Sequence, residues 1–99
     1  MNTLENIKYI VGDHKEELRQ KYKVKEIGIF GSYVRGEQKA MSDVDILVEF
    51  EDRAKIGLLK FINIENYLSE ILGVKVDLVM KNALKPNIKK YILEEVIYL

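Results

Sequence analysis

Ile27-Gly28-Ile29-Phe30-Gly31-Ser32-Tyr33-Val34-Arg35-Gly36 and, after a polar loop, Ser42-Asp43-Val44-Asp45-Ile46-Leu47-Val48-Glu49-Phe50 form the stretch whose reading decides the fold. Two apolar β-type runs, Ile27–Phe30 and Ile46–Phe50, flank a Gly-Ser pair, and Asp43 follows Gly31 by twelve residues. Side chains two apart on a strand share a face, so Asp43 and Asp45 are expected to project together while Val44, Ile46, Val48 and Phe50 face a core. Two carboxylates side by side at the end of an apolar strand repel each other and need a cation to hold them. The chain has only five aspartates, and a third, Asp77, sits inside another apolar run, Val74-Lys75-Val76-Asp77-Leu78-Val79-Met80. A glycine turn suited to phosphate, a carboxylate pair and a carboxylate on a second strand together point to metal-assisted chemistry on a nucleotide.

Working outward, Thr3 reads as an N-cap, and Leu4, Ile7, Val11, His14 and Leu18 recur at helical spacing. One helix from about Leu4 to Tyr22 is predicted, with Gly12 in its middle. Val24 to Phe30 reads as the first strand. Ser32 to Arg35 reads as a single helical turn stopped by Gly36. A polar loop over Glu37 to Ser42 leads into a second strand, Asp43 to Phe50, and Glu51 to Lys55 forms an exposed loop. Ile56, Leu59, Ile62, Leu68, Ile71 and Leu72 trace one face of a helix over most of Ile56–Leu72. Gly73 ends that helix, and Val74–Met80 is the third strand. Pro86 suits the first turn of a closing helix, where its missing N–H costs nothing. That helix carries Ile88, Tyr91, Ile92 and Glu95, and Val96–Leu99 reads as a short last strand. The alternation predicts a single α/β domain over residues 1–99.

Composition narrows the function. Ninety-nine residues suffice for one core and not for two. The formal net charge is zero, so no long-range field draws the chain to nucleic acid or to an anionic membrane, and direct nucleic-acid binding is not expected. Without cysteine there is no disulfide or thiolate chemistry, which fits a reducing cytosol. Met1-Asn2-Thr3-Leu4-Glu5 lacks the basic start and apolar block of a secretory signal, and no apolar run reaches the length of a membrane span. A cytoplasmic location is the expectation.

The residue types suit attack on a nucleoside triphosphate, whose negative charges must be offset before its α-phosphorus is attacked. Two magnesium ions roughly 3.5–4 Å apart stabilise both the entering and the leaving oxygen. Magnesium prefers carboxylate oxygens and retained waters, so a few rigid aspartates are enough. In this reading Asp43 and Asp45 hold the metal that carries the triphosphate, while Asp77 completes the second site and receives the proton of the attacking hydroxyl. Gly31 lets the backbone approach phosphate, and Ser32 offers a hydroxyl at the start of the helical turn, where free N–H groups favour anions. Ser32 is a phosphate binder here and not a nucleophile, because the one histidine, His14, lies on the first helix.

Gly31-Ser32-Tyr33-Val34-Arg35-Gly36, then Ser42-Asp43-Val44-Asp45-Ile46-Leu47-Val48, resembles the minimal nucleotidyltransferase (MNT) domains of the DNA polymerase β superfamily. Val76-Asp77-Leu78-Val79 matches the later strand aspartate of that pattern. Leu84-Lys85-Pro86 through Ile92-Leu93-Glu94-Glu95-Val96 is similar to its closing helix. The resemblance implies a small mixed β-sheet flanked by helices, magnesium, and ATP as the triphosphate. It also implies a partner: MNT proteins of this size act as antitoxins of a helical HEPN ribonuclease encoded beside them, transferring AMP to a tyrosine hydroxyl of the toxin. It carries Gly31, Ser32, Asp43, Asp45 and Asp77 over as functional positions. Arg35 falls on a frequent family arginine, and phosphate contact and bracing of the loop stay open for it. Without an acceptor domain of its own, the chain is expected to take its acceptor surface from a partner or a second copy. Two rival readings remain: an antitoxin that neutralises by binding without catalysis, and transfer to a small-molecule acceptor.

Plainer roles fit several other residues. His14, on the apolar stripe of its helix, reads as a packed structural histidine. Tyr9, Tyr67, Tyr91 and Tyr98 read as packing or interface area. Lys85, Lys89 and Lys90 are followed by Glu94 and Glu95, which reads as a solvated helix end and not as a basic RNA-binding face.

Overall fold

The computed structural model describes residues 3–99. Thr3 caps the first helix, its Oγ1 accepting from the Asn6 N–H at 3.2 Å. The single helix expected over Leu4–Tyr22 is two helices, α1 (Leu4–Asp13) and α2 (Lys15–Tyr22). They part at His14, where φ is −102° and ψ 5°, outside the helical range. Its ring Nδ1 lies 2.8 Å from the Ile10 carbonyl oxygen and its ring meets Tyr67 edge-on, so the histidine is structural, as expected. The bend lets α1 lie against α4 (Leu58–Leu72) while α2 lies against the first strand. Ile7, Val11 and Leu18 are all fully buried as a result. Apolar spacing continues across the bend, which is why the sequence reads as one helix.

Four strands form one mixed sheet in the order β3-β2-β1-β4. β1 (Val24–Phe30) pairs antiparallel with β2 (Val44–Phe50), and β2 pairs parallel with β3 (Val76–Met80). β4 (Ile97–Tyr98) adds antiparallel to the other side of β1. A bulge lies between Val24 and Glu26. The extra residue keeps Val24 and Ile27, three apart, on the same buried face. β2 begins at Val44, one residue later than read from the sequence, and β3 at Val76, two later. The tight turn survives as α3 (Ser32–Arg35), ended by Gly36 at φ 72°.

One face of the sheet carries the main core. Ile27 and Ile29 of β1, Val44, Ile46 and Val48 of β2, and Val76 and Leu78 of β3 meet Ile64, Leu68 and Leu72 of α4. β3 is an edge strand, and α4 covers its free donors: Glu65 Oε2 accepts from the Leu78 N–H at 2.9 Å and Ser69 Oγ from the Val76 N–H at 3.0 Å. The opposite face alternates with the core face and shows Phe30, Asp45, Leu47, Asp77 and Val79. Here α5 (Pro86–Glu95), with Pro86 in its first turn as expected, shares a cavity with residues of this face. No helix among the described residues is long and apolar enough to cross a membrane.

Candidate active site

Asp45 is the centre of the site. It stands on the middle of three strands, opposite Phe30 of β1 in the antiparallel register and opposite Asp77 of β3 in the parallel one. Parallel registry puts the two carboxylates on one face of adjacent strands, where side chains reach one another. Asp43 lies in the loop just before β2 and is exposed, as is Asp77, whereas Asp45 is half-buried. Asp45 rests against Gly31: a Cβ on that glycine would stand 2.1 Å from Asp45 Oδ2.

Gly31, Arg35, Asp45 and Asp77 line one cavity of about 530 Å³ between the sheet and α5. It is larger than the polar cleft beside Asp52, at about 240 Å³, and the apolar one beside Phe61, at about 380 Å³. Its volume is within the range of small-molecule sites. Ile88, Tyr91 and Ile92 of α5 supply an apolar wall facing the carboxylates. Ser32, half-buried on α3 next to Gly31, and Asp43, in the exposed loop two residues before Asp45, are not part of this lining. The first N–H groups of α3 have no partners within the helix, which leaves them available to a ligand.

Electrostatics single out the same residue. The Asp45 carboxyl is pushed above the usual carboxylate range, first by burial, then by the charges of Asp77 and Asp43, with Arg35 opposing. Hard oxygen donors crowded so that one resists ionisation suit a hard cation. No three acidic or histidine side chains among the described residues already close round a metal position. That is compatible with magnesium, which keeps several waters and takes one or two carboxylates together with substrate phosphates. Asp45 and Asp77, paired across β2 and β3, are carboxylates of the kind that such an ion takes.

The raised Asp45 carboxyl has a testable sign. Below the ordinary carboxylate range Asp45 is protonated in both folded and unfolded chains and costs nothing. As pH rises past the unfolded value the unfolded chain ionises first, and stability is lost until the folded carboxyl ionises too. In metal-free buffer Asp45→Asn therefore raises the melting temperature by a few degrees at about pH 7 and has little effect near pH 3. Circular dichroism melts of both chains check this; an equal shift at both pH values contradicts it.

Arg35 is held on two sides. Its Nε donates to Glu37 Oε1 at 2.7 Å and its Nη1 to Glu95 Oε1 at 2.8 Å, and these two carboxylates, Glu37 the more, hold its proton more firmly than usual. Glu95 also accepts from the Gly31 N–H through Oε2 at 3.0 Å. The solvated helix end read from the sequence is thus corrected for Glu95, whose side chain is only 22% exposed. One signal was available: Glu95 lies three residues after Ile92 and seven after Ile88, on the apolar face of its helix.

Carboxylates on adjacent strands thus stand beside a Gly-Ser turn, under the closing helix α5. The chain belongs to the nucleotidyltransferase domain family, whose model matches residues 11–99. It is 58% identical over 98 residues to a protein adenylyltransferase of Thermococcus cleftensis, MntA, an alignment covering 99% of this chain and 97% of that one. It is also similar to a solved structure described as a minimal nucleotidyltransferase, with a TM-score of 0.74 at 30% identity over 94% of this chain and 95% of the other. A more distant likeness in fold, with a TM-score of 0.67 at 19% identity over 93% of this chain and 70% of the other, is to the complex of a tri-AMPylated Shewanella oneidensis HEPN toxin with an MNT antitoxin. The small mixed sheet flanked by helices is the fold that the resemblance implied.

Proposed function

We propose that this protein transfers AMP from ATP to a tyrosine hydroxyl of a HEPN-type ribonuclease toxin and so acts as its antitoxin. The observation that carries the reading is the pairing of Asp45 and Asp77 across β2 and β3 at the cavity that Gly31 and Arg35 also line. Support for adenylyl transfer to a protein comes from MntA of Thermococcus cleftensis, more than half identical over almost the whole of both chains. The choice of toxin as acceptor follows the complex of similar fold, in which an MNT antitoxin accompanies an AMPylated HEPN toxin.

Asp43, Asp45 and Asp77 would hold magnesium, which when bound offsets the charge of the triphosphate. Ser32 and the first turn of α3 bind phosphate oxygens, and Arg35 presents its guanidinium edge to them. The acceptor oxygen attacks the α-phosphorus, the bond to the bridging oxygen of the β-phosphate breaks, and pyrophosphate leaves. Asp77, exposed on the edge strand β3, takes the proton of the attacking hydroxyl. The exposed wall of α5, with Ile88 48% and Tyr91 70% accessible, borders the path by which a protein acceptor reaches the cavity.

The test is label transfer from α-phosphate-labelled ATP with magnesium, using the protein co-purified with the product of its neighbouring gene. Label is expected on that helical partner, and removing magnesium with EDTA is expected to abolish it. A stable complex that takes no label would leave neutralisation by contact as the better account.

A further inference from the structure

Both oxygens of Glu95 are engaged, one by the Gly31 N–H and one by Arg35, and these donors stand at the two ends of α3. Gly31 adopts φ 84° and ψ −153°, a region that only glycine visits readily. Its carbonyl accepts locally from the Val34 and Arg35 N–H groups, while its own N–H is taken from outside the turn. The side chain that fixes its peptide comes from 64 residues further on. Arg35 is steadied from its other side by Glu37, so its head is fixed while Nη2 keeps no hydrogen-bond partner among the described residues. The end of α5 is itself anchored. β4 follows it directly and pairs Ile97 and Tyr98 with Ile29 and Gly28 of β1. Gly28 permits this close approach, since a Cβ there would come within 2.7 Å of Val96 Cγ2.

We propose that Glu95 is a positioning residue, which holds the Gly31 peptide and the Arg35 head in the arrangement that receives a triphosphate. The ligand in this proposal rests on the nucleotidyl-transfer reading above. Glu95 does not itself bind the anion, because its charge repels phosphate and adds to the field that already opposes ionisation of Asp45. Two carboxylates on one guanidinium leave no excess positive charge. Arg35 therefore acts through a directed Nη2–H bond and not through net charge, and its direction is set by Glu95.

The experiment compares wild type, Glu95→Gln and Glu95→Ala by calorimetric titration with magnesium and α,β-methylene-ATP, which cannot be cleaved at the α–β bridge. Hydrogen exchange at the Gly31 amide and the melting temperature are measured on the same nucleotide-free proteins. Glu95→Ala is expected to weaken the analogue about tenfold and to speed Gly31 exchange. Glu95→Gln, whose amide oxygen still accepts from Gly31, is expected to recover much of both and bind about threefold more weakly than wild type. Tighter binding in Glu95→Ala would show that the carboxylate blocks the site and would overturn the proposal. An unchanged dissociation constant with only a lower melting temperature would overturn it too, by reducing Glu95 to support of the fold. A wild-type chain that does not bind the analogue would instead count against the nucleotidyl-transfer reading and remove the ligand from this one. Gly31 exchange would still tell whether Glu95 holds that peptide.

Discussion

A chain carrying Asp43→Asn and Asp45→Asn together keeps its fold and loses nucleotidyl transfer by at least about a thousandfold, equivalent to ~4 kcal/mol of barrier. The fold survives because neither carboxylate supports it. Asp43 lies in an exposed loop, and Asp45 is destabilised in its charged form by burial and by Asp77 and Asp43. Exchanging the two carboxylates for amides keeps shape and hydrogen-bonding capacity while removing the mutual repulsion. Transfer fails because the amide oxygens are poor ligands for a hard dication and cannot offset the charge of a triphosphate. The measurement pairs label transfer with a thermal melt, so that lost activity is not mistaken for lost structure. Wild-type transfer by the double variant would sink the proposed chemistry. The same variant separates the rivals: an antitoxin that works by contact still neutralises its toxin with both aspartates replaced, and one that works by adenylyl transfer does not.

What the sequence disclosed about this site followed from period and type. Asp77 was legible because an acidic residue within an apolar strand run must point away from the core, and β3 places it there opposite Asp45. Gly31-Ser32 and Gly36 marked a turn whose conformation the structure reproduces. Glu95 reads as solvated because Lys85, Lys89, Lys90 and Glu94 precede it in sequence, whereas its partners Gly31 and Arg35 are sixty or more residues away. Contacts over that separation are set by how β4 returns to β1, which no local pattern encodes. The break at His14 was missed for a related reason, since the stripe Ile7, Val11, Leu18 stays buried whether the helix is straight or bends to follow two different neighbours. The bulge in β1 leaves the composition of the strand unchanged and shows only in its pairing with β2.

Gly31→Ala is expected to lower transfer at least about a hundredfold and to destabilise the protein, the two effects arising from separate causes. The first is backbone strain. At φ 84° and ψ −153° an L side chain costs roughly 1–3 kcal/mol, enough to lower the melting temperature of a domain this size by several degrees. The second is collision, because the new methyl would stand 2.1 Å from Asp45 Oδ2 and 2.9 Å from its Cγ. No rotation of the methyl relieves this, so either the carboxylate swings away from its place beside Asp77 or the turn shifts and pulls its N–H from Glu95. Both responses displace a group the chemistry needs. Gly73→Ala supplies the comparison: its φ is 67° and nothing lies within 4 Å of an added Cβ, at the end of α4 and away from the cavity. It is expected to lose similar stability and to keep transfer within about threefold of wild type. Thermal melts and label transfer on the two variants tell strain from collision. Equal losses of transfer in both would mean that stability alone limits the reaction, and a fully active Gly31→Ala would remove the Gly31–Asp45 contact from the account of catalysis.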